Sequence, residues 1–174
     1  MILLQRLIGL NIRYWPWVAL LSSALLLAIA HAFETFANLM PCTLCLKQRE
    51  VYWTVMAVAA AGMLLERFVG LNRFRPWLNL LLGAIFLFGA GVAVYHAGAE
   101  WKWWPGPTTC ATGGGGQGST TAELQALLQG AKVSAPACDK AAWVFLGLSM
   151  AGWNAIISLK LAVWSVIAAR ESRA

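Results

Sequence analysis

Four long apolar runs constrain this chain more than any other feature. They cover about residues 17–36, 49–65, 77–96 and 141–163. A helix needs about 20 apolar residues to cross a bilayer, and each run approaches or meets that length. The first is broken only by Ser22, Ser23, His31, Glu34 and Thr35. Ala28-Ile29-Ala30 within it resembles a signal-peptide cleavage site, but the run is read as the first span. The second is short, so its ends reach into the interface. The third holds Asn79 as its one strongly polar residue, and the fourth stays apolar as far as Ala169, beyond Lys160. Only 11% of the residues are charged, against about 25% in a soluble domain. The expected fold is an all-α bundle of four transmembrane helices, one membrane domain over residues 1–174, with external loops at about 37–48 and 97–140.

Charge placement orients the bundle. One set of flanks carries Arg6, Arg13, Arg67, Arg73, Arg75, Lys160, Arg170 and Arg173 against Glu66 and Glu171, a balance of +6. The other carries Lys47, Arg49, Lys102, Lys132 and Lys140 against Glu34, Glu50, Glu100, Glu123 and Asp139, a balance of zero. The positive side is cytoplasmic, which puts both termini inside. The basic residues form no patch with interleaved aromatics, so the net charge of +6 does not point to nucleic acid. All four cysteines, Cys42, Cys45, Cys110 and Cys138, then fall outside, two in each external loop. Disulfides persist on that side.

The long external loop opens with Trp101, Trp103 and Trp104, expected at the interface. Pro105-Gly106-Pro107 turns the chain. Cys110 follows, then the plain tether Gly113–Gly116. Thr120 and Glu123 form a capping box for a short helix to about Gln129, with Leu124, Leu127 and Leu128 on one face. That helix lies either on the membrane surface or on protein.

The chemistry starts at Cys42-Thr43-Leu44-Cys45, placed at the first turn of the second span, with Arg49 four residues beyond Cys45. A thiolate is the nucleophile in disulfide exchange. Helix N-termini favour negative charge, and so does a nearby cation. Cys45 shares a face with Arg49, which makes it the candidate thiolate on the lipid side. A zinc site needs more ligands at suitable spacing, and neither His31 nor His96 stands in such a pattern, so no metal is expected. Cys110 and Cys138 flank the tether. A bond between them closes a loop of roughly 29 residues, worth about 3–4 kcal/mol in the chain-entropy model. Such a bond is either structural or part of an exchange in which the tether lets a cysteine meet a soluble partner. His96, at the external end of the third span, could hydrogen-bond a quinone oxygen or relay a proton. Met150 and Trp153 either pack or touch a flat ring, and Asn154 suits a hydrogen bond between helices.

Three motifs together resemble the DsbB family, quinone-dependent oxidases of the bacterial inner membrane that act on a DsbA-like partner. They are Pro41-Cys42-x-Leu44-Cys45-x-x-Gln48-Arg49; Tyr95-His96-x-Gly98-x-Glu100 with Trp104, Gly106, Pro107 and Cys110; and Cys138-Asp139 with Trp143, Phe145-Leu146-Gly147, Ser149-Met150 and Trp153-Asn154. The resemblance implies ubiquinone or menaquinone near Cys45, Arg49, His96 and Met150. It implies that Cys110 forms a mixed disulfide with a periplasmic thiol oxidase and that Cys138 helps resolve it, drawing Cys42 into an inter-loop disulfide. Cys45 is then left as the thiolate that passes electrons to the quinone pool. Two rivals stand beside it: an enzyme like vitamin K epoxide reductase, with its Cys-x-x-Cys near the last helices, and a membrane scaffold with two inert disulfides.

Overall fold

The computed structural model describes residues 14–70, 72–107 and 138–173. Cys110, the Gly113–Gly116 tether and the expected loop helix from Thr120 lie outside the described residues. Helix α1 spans Trp15–Ala37, α2 Thr43–Val69, α3 Arg75–Glu100 and α4 Met150–Glu171. A single 3-10 turn, Asn72–Phe74, joins α2 to α3. All four helices are long and apolar enough to cross a membrane, and the chain is a multi-pass membrane protein. The ends are marked locally. Pro16 and Pro76 sit in the first turns of α1 and α3, where the missing N–H costs nothing. Gly70, at φ 69°, closes α2 in the left-handed region, a conformation glycine adopts without steric penalty.

Large apolar side chains face outward. Phe36, Phe68, Phe88 and Trp77 are all exposed, as lipid-facing residues must be. The interior is built from smaller groups around Val55, Leu82 and Phe86, which are fully buried. The most extensive interface joins α3 and α4. Ala90, Ala93 and Ala97 on α3, with Ala151, Ala162, Ala168 and Ala169 on α4, are buried. Small residues of this kind let helix backbones approach closely, because lipid supplies no hydrophobic drive for association. Gly83 shows how closely: a Cβ there would stand 3.0 Å from Ser165 Cβ.

The fourth helix begins later than the Ala141 expected from hydropathy. Val144–Phe145 and Leu148–Ser149 instead pair as a short antiparallel hairpin. Its two turn residues, Leu146 at φ 51° and Gly147 at φ 79°, have the positive φ that a two-residue hairpin loop requires. Ser149 then caps α4, its Oγ accepting from the Gly152 N–H at 3.1 Å. The apolar pattern alone could not separate this hairpin from a further turn of helix.

Candidate active site

The dithiol lies where α2 begins. Cys42 is the N-cap residue, and its Sγ accepts from the backbone N–H of Cys45 at 3.3 Å. Cys45 stands one turn in, its Sγ 2.9 Å from that of Cys42. Both are free thiols, Cys42 buried and Cys45 partly so. The cap position therefore hands the helix N-terminus to Cys42 rather than Cys45. The Cys42 thiol is held down to about 4 from its ordinary value near 9. The hydrogen bond from the Cys45 thiol contributes most. His96 adds a second bond and charge, and burial opposes both.

Arg49 does not serve Cys45 directly. Its Nη1 pairs with Glu34 Oε2 at 2.5 Å, and its Nη2 donates to the Ala30 carbonyl at 3.1 Å, so it ties α2 to α1. The spacing of Cys45 and Arg49 along the helix is as expected, but the carboxylate that takes up the guanidinium comes from another helix.

His96 reaches the dithiol from α3. Its Nε2 is 3.5 Å from Cys42 Sγ, and its Nδ1 accepts from Gln48 Nε2 at 2.8 Å. With Nδ1 so engaged, the ring proton sits on Nε2 and points at the sulfur. The chain of hydrogen bonds continues inward. Gln48 Oε1 accepts from Asn154 Nδ2, Asn154 Oδ1 accepts from Tyr52, and the Tyr52 hydroxyl meets Ser158 Oγ at 2.9 Å. Asn154 thus makes the interhelical bonds its position suggested. Glu100 lies one turn beyond His96, its Oε1 3.6 Å from Nε2 and its side chain only 5% exposed. Gln48, Tyr52 and Glu100 are the site residues that sequence reasoning missed. Gln48 and Glu100 were visible only as members of motifs, Gln48 just before Arg49 and Glu100 four positions after His96.

These groups open on a cavity of about 770 Å³. Cys42, Cys45, Arg49, His96 and Met150 all line it, together with apolar wall residues such as Leu26, Ile29 and Phe33. The hairpin supplies Trp143, whose ring lies 5.2 Å from that of Phe33 and stacks on Phe145 at 5.5 Å. Trp153 Nε1 donates to the Phe145 carbonyl at 3.0 Å and holds the hairpin to α4. A second groove, of about 840 Å³ between α2 and α3 near Val51, Ala84 and Phe88, is lined by neither thiol nor imidazole. Cys138 is disulfide-bonded. It is buried and packs in one cluster with Cys42, Leu44 and Cys45, its sulfur 3.5 Å from Thr43 Oγ1. Cys138, from the long external loop, therefore comes to the Cys42–Cys45 pair.

Four apolar helices around a dithiol with one strongly acidic sulfur, beside a third cysteine held in a disulfide, define a membrane protein built for thiol–disulfide exchange. Residues 12–168 match the family model described as disulfide bond formation protein DsbB. Disulfide bond formation protein B of Nitrosococcus oceani is 29% identical over 166 residues, which cover 90% of each chain. No solved structure matches significantly. The chain belongs to the DsbB family, and its role is that of a thiol oxidoreductase in disulfide bond formation. That membership sets aside both the epoxide reductase-like reading and the inert scaffold.

Proposed function

We propose that this chain reoxidises a periplasmic DsbA-like thiol oxidase and passes the electrons to ubiquinone or menaquinone in the inner membrane, with both termini cytoplasmic and residues 1–174 acting as a single domain. The observation that carries this reading is the convergence of Cys42, Cys45, Arg49, His96 and Met150 on one cavity, with disulfide-bonded Cys138 packed against Cys42.

The cavity suits a quinone. It is largely apolar, as ligand sites usually are, and Arg49 and His96 bring donors to its wall. A quinone held there would accept two electrons and two protons. The residues that would hold it are Cys45, Arg49, His96 and Met150, with Trp143 available to cover a flat ring.

The chain's own groups account for the preceding steps. Cys110 would take the mixed disulfide with the soluble partner. Cys138, released as a thiol, would attack the Cys42–Cys45 disulfide at Cys42 and leave Cys45 as thiolate. The partner's second thiol would attack the mixed disulfide and leave oxidised, releasing Cys110 as a thiolate. Cys110 would then attack Cys138 in the Cys138–Cys42 bond, with Cys42 as the leaving group. Two electrons have now moved from the partner's dithiol to the Cys42–Cys45 pair, and one disulfide has been made in the partner. The arrangement described, with a Cys42–Cys45 dithiol and Cys138 oxidised, corresponds to this point in the cycle. His96 holds a proton at Nε2 against Cys42, which keeps that sulfur anionic and a proton close to the cavity.

The test mixes the purified protein with reduced DsbA-like partner and quinone and follows the oxidised-quinone absorbance. Loss of the band that requires intact Cys45, with a Cys45→Ser control unchanged, is the expected result. No loss in either sample, with partner and quinone shown competent, would overturn the reading.

A further inference from the structure

The reduced site also has the composition of a metal centre. We propose that the Cys42–Cys45 dithiol binds one Zn2+ through its two sulfurs and His96 Nε2, with Glu100 as the fourth ligand, and that the disulfide form does not. Zinc would then lock the site in its reduced state.

The donor set is one that zinc uses. Cys sulfur, His nitrogen and carboxylate oxygen in a four-coordinate tetrahedron are its usual protein ligands. One ligand atom from each of Cys42, Cys45 and His96 lies within 4.8 Å of the others, and the cluster is buried or partly buried. Sequence spacing could not show this, because His96 arrives from a different helix. Glu100 supplies the independent sign. Its side chain is 5% exposed and sits 3.6 Å from His96 Nε2, yet its Oε2 is buried with no hydrogen-bond partner. An orphaned carboxylate oxygen costs free energy unless something answers it.

Charge balance points the same way. A thiolate at Cys42 beside the carboxyl group of Glu100 leaves a partly buried site short of positive charge. Of the basic residues described at this end, Arg49 pairs with Glu34, Lys47 with Glu50 and Lys102 with Asp139. Lys140 stands exposed at the cavity rim. A divalent ion answers the deficit directly, displacing the thiol protons as it binds. Outer-shell support is present too. A ligating histidine keeps its other ring nitrogen hydrogen-bonded, and Gln48 already occupies Nδ1. With Nε2 on the metal the ring proton moves to Nδ1, and a joint turn of the Gln48 and Asn154 amides presents the Gln48 oxygen while keeping their mutual hydrogen bond.

Oxidation joins the two sulfurs and removes both thiolates, so the site is gated by redox state. Conversely, a bound Zn2+ occupies both sulfurs and stops their exchange with Cys138. The inference rests on the dithiol geometry, not on the quinone or the soluble partner, so its failure would leave the proposed function standing.

The test uses the full chain carrying Cys110→Ser and Cys138→Ser, so that Cys42 and Cys45 are its sole thiols. The oxidised and reduced forms are titrated with Zn2+ in competition with a chromophoric chelator. The reduced form is expected to take up one equivalent and the oxidised form none. Adding Cys45→Ser should weaken uptake by about a hundredfold, and adding Glu100→Gln by about tenfold. X-ray absorption at the zinc edge should report a shell of two sulfurs and two lighter atoms. Equal uptake by both redox forms, uptake that survives Cys45→Ser, or a shell without sulfur would overturn the proposal. Unchanged affinity in Glu100→Gln would overturn the fourth ligand.

Discussion

Buried polar side chains gather at both ends of the bundle, and the two ends use them differently. Where α1 begins and α4 finishes, Trp15 Nε1 donates to Ser165 Oγ at 2.9 Å and Asn79 Nδ2 to Ser172 Oγ at 3.1 Å. None of these groups titrates near neutral pH. They hold helices together where lipid supplies no drive for association. At the opposite end Cys42, His96 and Glu100 are also buried, but each can gain or lose a proton. The lesson is that burial of polar groups in a membrane bundle serves adhesion when the groups are inert and chemistry when they are ionisable. Substitutions at the first end should move stability and spare rate, and those at the dithiol end should do the reverse.

The largest expected effect is at the dithiol. Cys45→Ser keeps the size of the side chain and removes the sulfur, so oxidation of a reduced partner should fall by roughly a thousandfold or more. Thermal unfolding should stay close to that of the parent. A variant that instead unfolds early while turning over normally would reverse the assignment of the two ends.

Next comes Gly83→Val, in the small-residue seam of α3 and α4. The added side chain would start 3.0 Å from Ser165 Cβ, and overpacking of this kind costs about 1–3 kcal/mol. Stability in a denaturant series should drop by that amount, while the rate per folded molecule holds. Loss of rate without loss of stability would show that the seam transmits to the site.

A third effect is read in pH. Cys42 titrates near 4 in place of its ordinary value near 9. Its folded-state value is depressed, so the stabilisation from its ionisation is complete above about pH 9 and is lost as pH falls through about 4. Thiolate absorbance of the reduced site should therefore persist through pH 5. In His96→Ala the titration should move up by roughly one pH unit, because one of the two side-chain hydrogen bonds to the thiolate is gone. A midpoint unchanged by this substitution would leave the Cys45 thiol as the sole source of the shift.

The legible and illegible parts of this molecule divide by range. The four spans could be read because a bilayer demands a long run of apolar residues, and that demand is met locally. The Cys42–Cys45 pair at a helix start could be read for the same reason. What could not be read is what one helix brings to another. Glu34 takes the guanidinium that spacing had assigned to Cys45, and His96 closes on a sulfur 54 positions away in the chain. The hairpin before α4 stayed hidden for a different reason. Val144 to Leu148 is as apolar as a helix turn, and only the backbone at Leu146 and Gly147 reveals the bend. How the reduced pair shares its charge was also out of reach, because it depends on the Cys45 thiol donating to the N-cap sulfur of Cys42 and on His96 arriving from another helix.

The smallest effect is the most exacting test of the contrast. Trp15 is buried and its ring belongs to the main core cluster, so Trp15→Phe keeps an aromatic ring there while removing one donor. Ser165 Oγ loses an incoming bond but still donates to the Leu161 carbonyl at 2.9 Å, so no hydroxyl is left stranded. Hydrogen bonds between membrane helices average about 0.6 kcal/mol, and the smaller ring adds a slight packing loss, for about 1 kcal/mol in all. Nothing in this change touches the dithiol, which lies at the other end of α1's neighbours. Partner oxidation and the Cys42 titration should both match the parent. If either moves in step with the loss of stability, the adhesive end and the chemical end are one cooperative unit, and the division of labour between them fails.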